Sequence, residues 1–233
     1  MASPRLRLLD LPGPQDLAGT TRLRAAVGPR LYSSHPCSTC NAPCCRTATV
    51  EITTVEALRL AFEHLLSLEA VVERMDCPPG VDVERLASVP IPLRDGLTVL
   101  RLRYRPAEDG GGCTFLMGAL EQRRCGVHAL RPGSCRLFPF HIQAGAQSVA
   151  VGDPAVCPTA WLRTPQLEKD VARDWAAWRR DVRLEKRLVA GWVALGGHTA
   201  GWKDYAAYAV EFAQKQLKLT RPLWIAPGQR FTG

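Results

Sequence analysis

Apolar positions follow two different periods along this chain. Leu58, Ala61, Leu65, Leu68 and Val72 recur at helical spacing. Thr53 with Glu56 three residues on is a capping box, so the spacing predicts a helix that starts after Thr53 and ends at Cys77-Pro78-Pro79-Gly80. Just before it, Ala48 to Ile52 reads as a short strand. Leu97 to Tyr104 alternates apolar residues with arginines at 101, 103 and 105, the pattern of a half-buried strand. Asp109-Gly110-Gly111-Gly112 reads as a turn, and Phe138 to Ile142 with Gln147 to Val151 as a hairpin around Ala144-Gly145-Ala146. From Thr164 the period is helical throughout. Leu167, Val171, Trp175, Trp178, Val182, Val189 and Trp192 form one stripe, broken at Glu185 and Lys186. Gly196-Gly197 ends that helix, and a second carries Trp202, Tyr205, Ala209 and Phe212.

Together these elements predict an α+β protein with a small, irregular, metal-stapled core of short strands followed by a helical C-terminal region. The expected organisation is an irregular N-terminal arm over 1–34, a cysteine-cluster domain over 35–160, and helices over 161–233 packed on it. The arm is rich in Pro, Gly and Arg and has no sustained period.

Composition narrows the class. At 233 residues, 46% apolar and 22% charged, the chain is long and apolar enough for a real core. No stretch approaches the roughly eighteen apolar residues of a membrane helix, so no membrane association is expected. Met1 to Pro14 lacks the apolar run and small-residue cleavage site of a signal peptide, and a cytoplasmic location follows as an expectation. The net charge is +8, and residues 161–233 hold thirteen basic against seven acidic residues. That balance suits a protein or anionic partner. In Trp175 to Arg187, however, acids interrupt the bases, as on an ordinary solvated helix face, and nucleic acid is not favoured.

The candidate chemistry lies in nine cysteines. Disulfides need an oxidising compartment, and a reducing one leaves metal ligation or redox chemistry for clustered thiols. Cys37-Ser38-Thr39-Cys40-Asn41-Ala42-Pro43-Cys44-Cys45 places four thiols close together. The C-x-x-C turn lets two sulfurs converge on one ion. Neighbouring Cys44 and Cys45 share a metal only through a tight local bend; otherwise they serve two metals, or two irons of one cluster. Cys113, Cys125, Cys135 and Cys157 each sit beside Gly or Pro or at an expected strand end, where backbone bends around an ion.

C-x2-C-x3-C-C, then C-x-F-L at Cys113, then C-x9-C from Cys125 to Cys135 with Arg131-Pro132 before and Arg136-Leu137-Phe138-Pro139-Phe140 after, then Cys157, resembles the YkgJ-type cysteine-cluster family of zinc- or iron-chelating domains. The resemblance covers about 35–160 and implies eight metal ligands: Cys37, Cys40, Cys44, Cys45, Cys113, Cys125, Cys135 and Cys157. Cys77 fits none of its motifs and reads as an ordinary buried thiol. Eight thiolates suit two Cys₄ zinc sites, or an iron–sulfur cluster with the remaining thiols structural. His35, His128 and His141 lie near the cysteines and could substitute as ligands, but with eight thiols already sufficient they read as surface or hydrogen-bonded residues. Arg131 and Arg136 bracket Cys135, where guanidinium groups hydrogen-bond metal-bound thiolates or bind a carboxylate or phosphate. Phe138 and Phe140 would limit water at the centre. There is no phosphate-binding glycine loop, no G-x-S-x-G and no C-x3-C-x2-C. The sequence therefore reads as a metal-binding protein with an iron–sulfur or zinc centre. Whether it is an iron–sulfur enzyme, a zinc-stabilised binding or interaction module, or a metal carrier, the residues leave open.

Overall fold

The computed structural model describes residues 44–77, 88–106, 108, 110–118, 124–142, 149–151, 157 and 164–219. They form two compact units: 44–50 with the described part of 104–178, and the described part of 51–103 with 179–219. The architecture is mixed α+β, with short antiparallel strands and a long helical C-terminal region.

The second unit opens with α2 (Thr54–His64), which follows the one-turn α1 (Cys44–Thr47) of the first unit. The expected capping box is present: the Glu56 amide donates to Thr53 Oγ1 at 3.2 Å, and Glu56 Oε2 accepts from the Thr53 amide at 3.1 Å. The helix is shorter than its apolar spacing predicts. It stops at His64 because Leu65 turns left-handed (φ 54°) and stays exposed. Ser67 then caps a single turn, α3 (Leu68–Val71), and the chain continues as β1 (Val72–Asp76). The reason is local: from Glu73 to Asp76 half-buried and exposed positions alternate with a period of two, after a Val-Val pair that favours extended backbone.

β1, β2 (Ile91–Leu93) and β3 (Gly96–Leu102) form an antiparallel sheet with β3 in the centre, in the register Val72↔Leu102 and Ile91↔Thr98. The alternation read from Leu97 onward is thus a strand. The strand expected over Ala48 to Ile52 is only a single bridge, Glu51↔Arg101. Ile52, Val55, Leu58, Leu60, Ile91, Leu100, Leu188 and Tyr205 build the core. The long helix, α5 (Pro165–Ala194), contributes its residues from Arg179 on. It ends at left-handed Gly196, and Trp192 packs so tightly over Gly197 that a Cβ there would lie 2.1 Å from the ring. α6 (Trp202–Leu217) buries Tyr205, Ala209 and Ala213.

Glu185 corrects the expected stripe. It does not face outward but is 1% exposed, inside the core. Its carboxylate accepts from Thr54 Oγ1 at 2.6 Å and from the Val55 amide at 3.0 Å. It thereby caps a first-turn amide of α2 that has no partner within the helix. Thr54 Oγ1 also lies 2.8 Å from Tyr205 Oη, which ties α6 to the same point.

The first unit is built from shorter pieces. β4 (Tyr104–Arg105) pairs with β5 (Gly112–Cys113), and β6 (Leu116–Met117) pairs with β7 (Arg124–Cys125). Gly110, Gly111 and Gly112 all take positive φ in the turn before Cys113. A 3₁₀ turn (His128–Leu130) leads to α4 (Gly133–Leu137), and β8 (Phe140–Ile142) pairs antiparallel with β9 (Val149–Val151), as the expected hairpin requires. Leu137, Phe140, Leu167 and Val171 form an apolar cluster on which Cys157, Trp175 and Trp178 pack.

Two predictions follow from this packing. Burial pushes the Glu185 carboxyl up to about 7 from 4.5, against the hydrogen bonds from Thr54 and Val55. The folded state therefore holds this proton more tightly than the unfolded chain. Its contribution is complete below about pH 4.5 and is lost as pH rises through about 7, a fall of about 3 kcal/mol. Glu185→Gln removes that slope: denaturant melts should show the difference between wild type and variant shrinking as pH rises, and a constant difference would refute the assignment. The second concerns glycines. A Cβ on Gly133 would lie 2.2 Å from Trp178 Cδ1, whereas one on Gly126 meets the side chain of exposed Met117. Gly133→Ala should cost about 1–3 kcal/mol, and Gly126→Ala clearly less, because Met117 swings aside. Equal shifts in melting midpoint would show that Trp178 is not fixed over α4.

Candidate metal centre

The candidate centre lies in the first unit, where four separate elements present cysteines. α1 begins with Cys44 and Cys45 and closes when the Ala48 amide donates to the Cys44 carbonyl at 2.8 Å. Tyr104 fastens this turn, its hydroxyl donating to the Ala48 carbonyl. Tyr104 also stands opposite Cys113 in the β4–β5 ladder. Gly112 lets α1 and β5 approach: its φ is +87°, and a Cβ there would sit 3.0 Å from the Cys45 carbonyl. Cys125 is set opposite Leu116, and the Gly126 amide donates to the Phe115 carbonyl at 2.8 Å. Cys135 is carried by α4, whose start is fixed by Arg131-Pro132.

These sulfurs act on one another. The Cys44 thiol is held up first by its hydrogen bond with Cys45, then by burial and by the charge of Cys45. Burial leads in raising Cys113 to about 11, with Cys125 and Cys44 adding to it and a backbone bond from Phe115 and the Arg105 guanidinium opposing. Cys135 is half-buried by surface exposure, yet loss of water around its sulfur raises its pKa well above the ordinary thiol value. Cys113, Cys125 and Cys44 push the same way, and Arg131 opposes them. The Tyr104 phenol is raised by burial and then by Cys113, Cys135, Cys45 and Cys44. Where loss of water and neighbouring thiolates both oppose ionisation, as at Cys44, Cys113 and Cys135, a bound cation reverses that balance. Soft sulfur donors select zinc or iron–sulfur iron over hard cations. Among the described residues, no three His, Cys, Asp or Glu side chains form a group that could hold a metal ion.

The other sequence candidates fall as follows. Cys37, Cys40 and His35 lie outside the described residues, and His141 is in β8. Cys157 packs on the apolar cluster of Leu137, Phe140, Leu167 and Val171. Cys77 ends β1 in the second unit, its amide donating to the Leu97 carbonyl at 2.7 Å. The described cysteines are free thiols. His128 is lowered by burial and then by Arg131. Arg131 is 6% exposed and its Nε donates to the His128 carbonyl at 3.2 Å. Arg136 Nε, Ser134 Oγ and Trp178 Nε1 are buried without a hydrogen-bond partner among the described residues.

Two contributors were not singled out from sequence, Tyr104 and Arg105. Both were read as the end of the Leu97 to Tyr104 alternation. Arg101 of β3 pairs with Glu73 at 2.7 Å. Arg105 instead donates Nη2 to the Leu116 carbonyl, opposite Cys125, and its buried Nε has no hydrogen-bond partner among the described residues. The signal was the Gly-rich turn that follows, which folds β4 back onto Cys113.

Residues 36–158 match the family model CxxCxxCC, described as a putative zinc- or iron-chelating domain. No curated protein and no solved structure matches the chain. No described helix is long and apolar enough to cross a membrane. With more than half of its length matched by that model, the chain belongs to the CxxCxxCC family of putative zinc- or iron-chelating domains.

Proposed function

We propose that the chain holds a metal–thiolate centre through Cys37, Cys40, Cys44, Cys45, Cys113, Cys125, Cys135 and Cys157, as an iron–sulfur or zinc protein. The observation that carries this reading is the close approach of α1, with Cys44 and Cys45, to β5, with Cys113, at Gly112, within the stretch that the chelating-domain family model matches. Cys44 next to Cys45, close in sequence to Cys37 and Cys40, favours an iron–sulfur centre over two separate C-x-x-C zinc pairs. The second reading is a zinc-stabilised interaction module. It is supported by two-residue ladders that need a cross-link.

In either case Arg131 beside Cys135 and Arg105 beside Cys113 lower the cost of thiolate charge. Phe140, fully buried, keeps water from the apolar side on which Cys157 packs. These features favour a centre closed by protein, with a structural or electron-transfer role ahead of substrate chemistry. Arg136 keeps the substrate-anchor reading open through its Nε, which has no hydrogen-bond partner among the described residues.

Anaerobic purification with metal analysis and a visible spectrum tests the reading. Iron with broad visible absorption identifies the iron–sulfur form, stoichiometric zinc without colour the other, and neither metal at stoichiometric level refutes both. Cys113→Ser and Cys135→Ser should lower metal content, whereas Cys77→Ser leaves it unchanged. Arg105→Gln should weaken metal affinity about 10–100-fold. Chelation should also strip amide protection from β4 to β7 while β1 to β3 keep theirs, because structural metal binding contributes on the order of 10 kcal/mol to the elements it joins.

A further inference from the structure

The acids that interrupt the basic run of α5 in sequence do not interrupt it in space. Asp181 and Glu185 are 5% and 1% exposed, and both are used internally: Asp181 pairs with Arg59 at 2.6 Å, and Glu185 caps α2. With these carboxylates turned inward, every exposed position from Arg179 to Ala190 is Arg179, Arg180, Arg183, Lys186, Arg187 or Ala190. At 3.6 residues per turn the five cations fall within about a third of the helix circumference, over roughly 12 Å of its length. None of them enters an ion pair or hydrogen bond among the described residues. Such a concentration of unpaired cations repels itself and is stabilised by an anionic counterpart.

We infer that this face of α5 is a docking surface for the phosphate backbone of nucleic acid, bound without reading its sequence. Four of the five cations are arginine, whose planar fork matches phosphate geometry. The remaining exposed position is a small alanine, which lets the helix approach a charged surface closely. The face carries no Asn, Gln, Ser or Thr to read base edges, and no aromatic side chain on which an unpaired base would stack. The same omissions count against other anionic partners. A protein interface needs aromatic or aliphatic anchors at its centre. A membrane-bound amphipathic helix needs its apolar face free, and here Leu188, Val189 and Trp192 are buried in the core. The net charge of +8 adds a long-range attraction of the same sign.

The test is fluorescence-anisotropy binding of the full, metal-replete chain to a mixed-sequence DNA duplex and the matching RNA duplex across a salt series. Five phosphate contacts give a slope of log affinity on log salt of about −4.5, and Arg179→Gln/Arg180→Gln/Arg183→Gln leaves about −2, with at least a tenfold loss at low salt. Arg179→Lys/Arg180→Lys/Arg183→Lys should keep most of the binding and the wild-type slope. Lys203→Gln/Lys215→Gln/Lys218→Gln on and just after α6 removes the same charge elsewhere and should cost much less. The inference is overturned if the wild type binds neither duplex at low salt, or if the two glutamine triples lose equally, which makes the attraction one of net charge alone. Tighter binding to polyglutamate or to phosphatidylserine vesicles than to either duplex overturns it in favour of those partners.

Discussion

Ordering one residue costs on the order of 1–2 kcal/mol of chain entropy, and a ladder of two residues returns too few hydrogen bonds to offset it. β4–β5 and β6–β7 are both that short, and they carry Cys113 and Cys125. The first unit therefore stands only if side chains do what its ladders cannot. Some of that support is visible: the Tyr104 hydroxyl on Ala48, the Arg105 guanidinium on Leu116, and the burial of Phe115 and Leu116. As neutral thiols the sulfurs add little beyond the burial of Cys113 and the packing of Cys157, and ionising Cys113 or Cys135 is opposed first by burial and then by neighbouring thiolates. Joining them through a metal changes the sign of that term, and in this sense fold and site in this unit are one problem.

The second unit solves the same problem without sulfur. Its central strand pairs on both sides over several residues, and α2 is buried on nearly every face. Here the costly group is a single carboxylate, Glu185, retained inside an apolar core because it joins three helices at one point: its own, the start of α2, and Tyr205 of α6 through Thr54. Burying it costs stability at neutral pH, while the two hydrogen bonds it accepts recover part of that cost and fix the entry of α2. Cys77 belongs to this unit, whereas Cys113 and Cys125 belong to the first.

Local signals in the sequence translated well where the cause was local. Thr53 and Glu56 cap a helix, Gly196 stops one, Phe140 to Ile142 pairs with Val149 to Val151, and Arg101 alternates with buried neighbours. Signals that depend on tertiary partners did not translate. Leu65, Leu68 and Val72 keep helical spacing by coincidence, because a left-handed Leu65 and a new cap at Ser67 end the helix before the period is used. Glu185 looked like a break in an apolar stripe because nothing nearby in sequence shows that Thr54 and the Val55 amide await it 130 residues away. Of the candidate site, the cysteines and Arg131 were legible from motif and spacing. Arg105 was not, since its role is set by which strand folds back beside it.

Charge gives the two units a common logic. In the first, the Arg131 and Arg105 guanidinium groups bond to the His128 and Leu116 carbonyls, and their charge eases the ionisation of Cys135 and Cys113. On α5 in the second, Asp181 and Glu185 turn inward while Arg179, Arg180, Arg183 and Arg187 stay exposed, so the acids that dilute the basic run in the sequence are withdrawn from its surface. Counting charges along the chain therefore misjudges both places. An arginine beside buried thiols offsets charge locally and adds little long-range field, whereas an arginine on a helix whose acids are buried contributes its full charge at the surface. The cations exposed along α5 accordingly contribute a surface field that the alternation of signs in the sequence conceals.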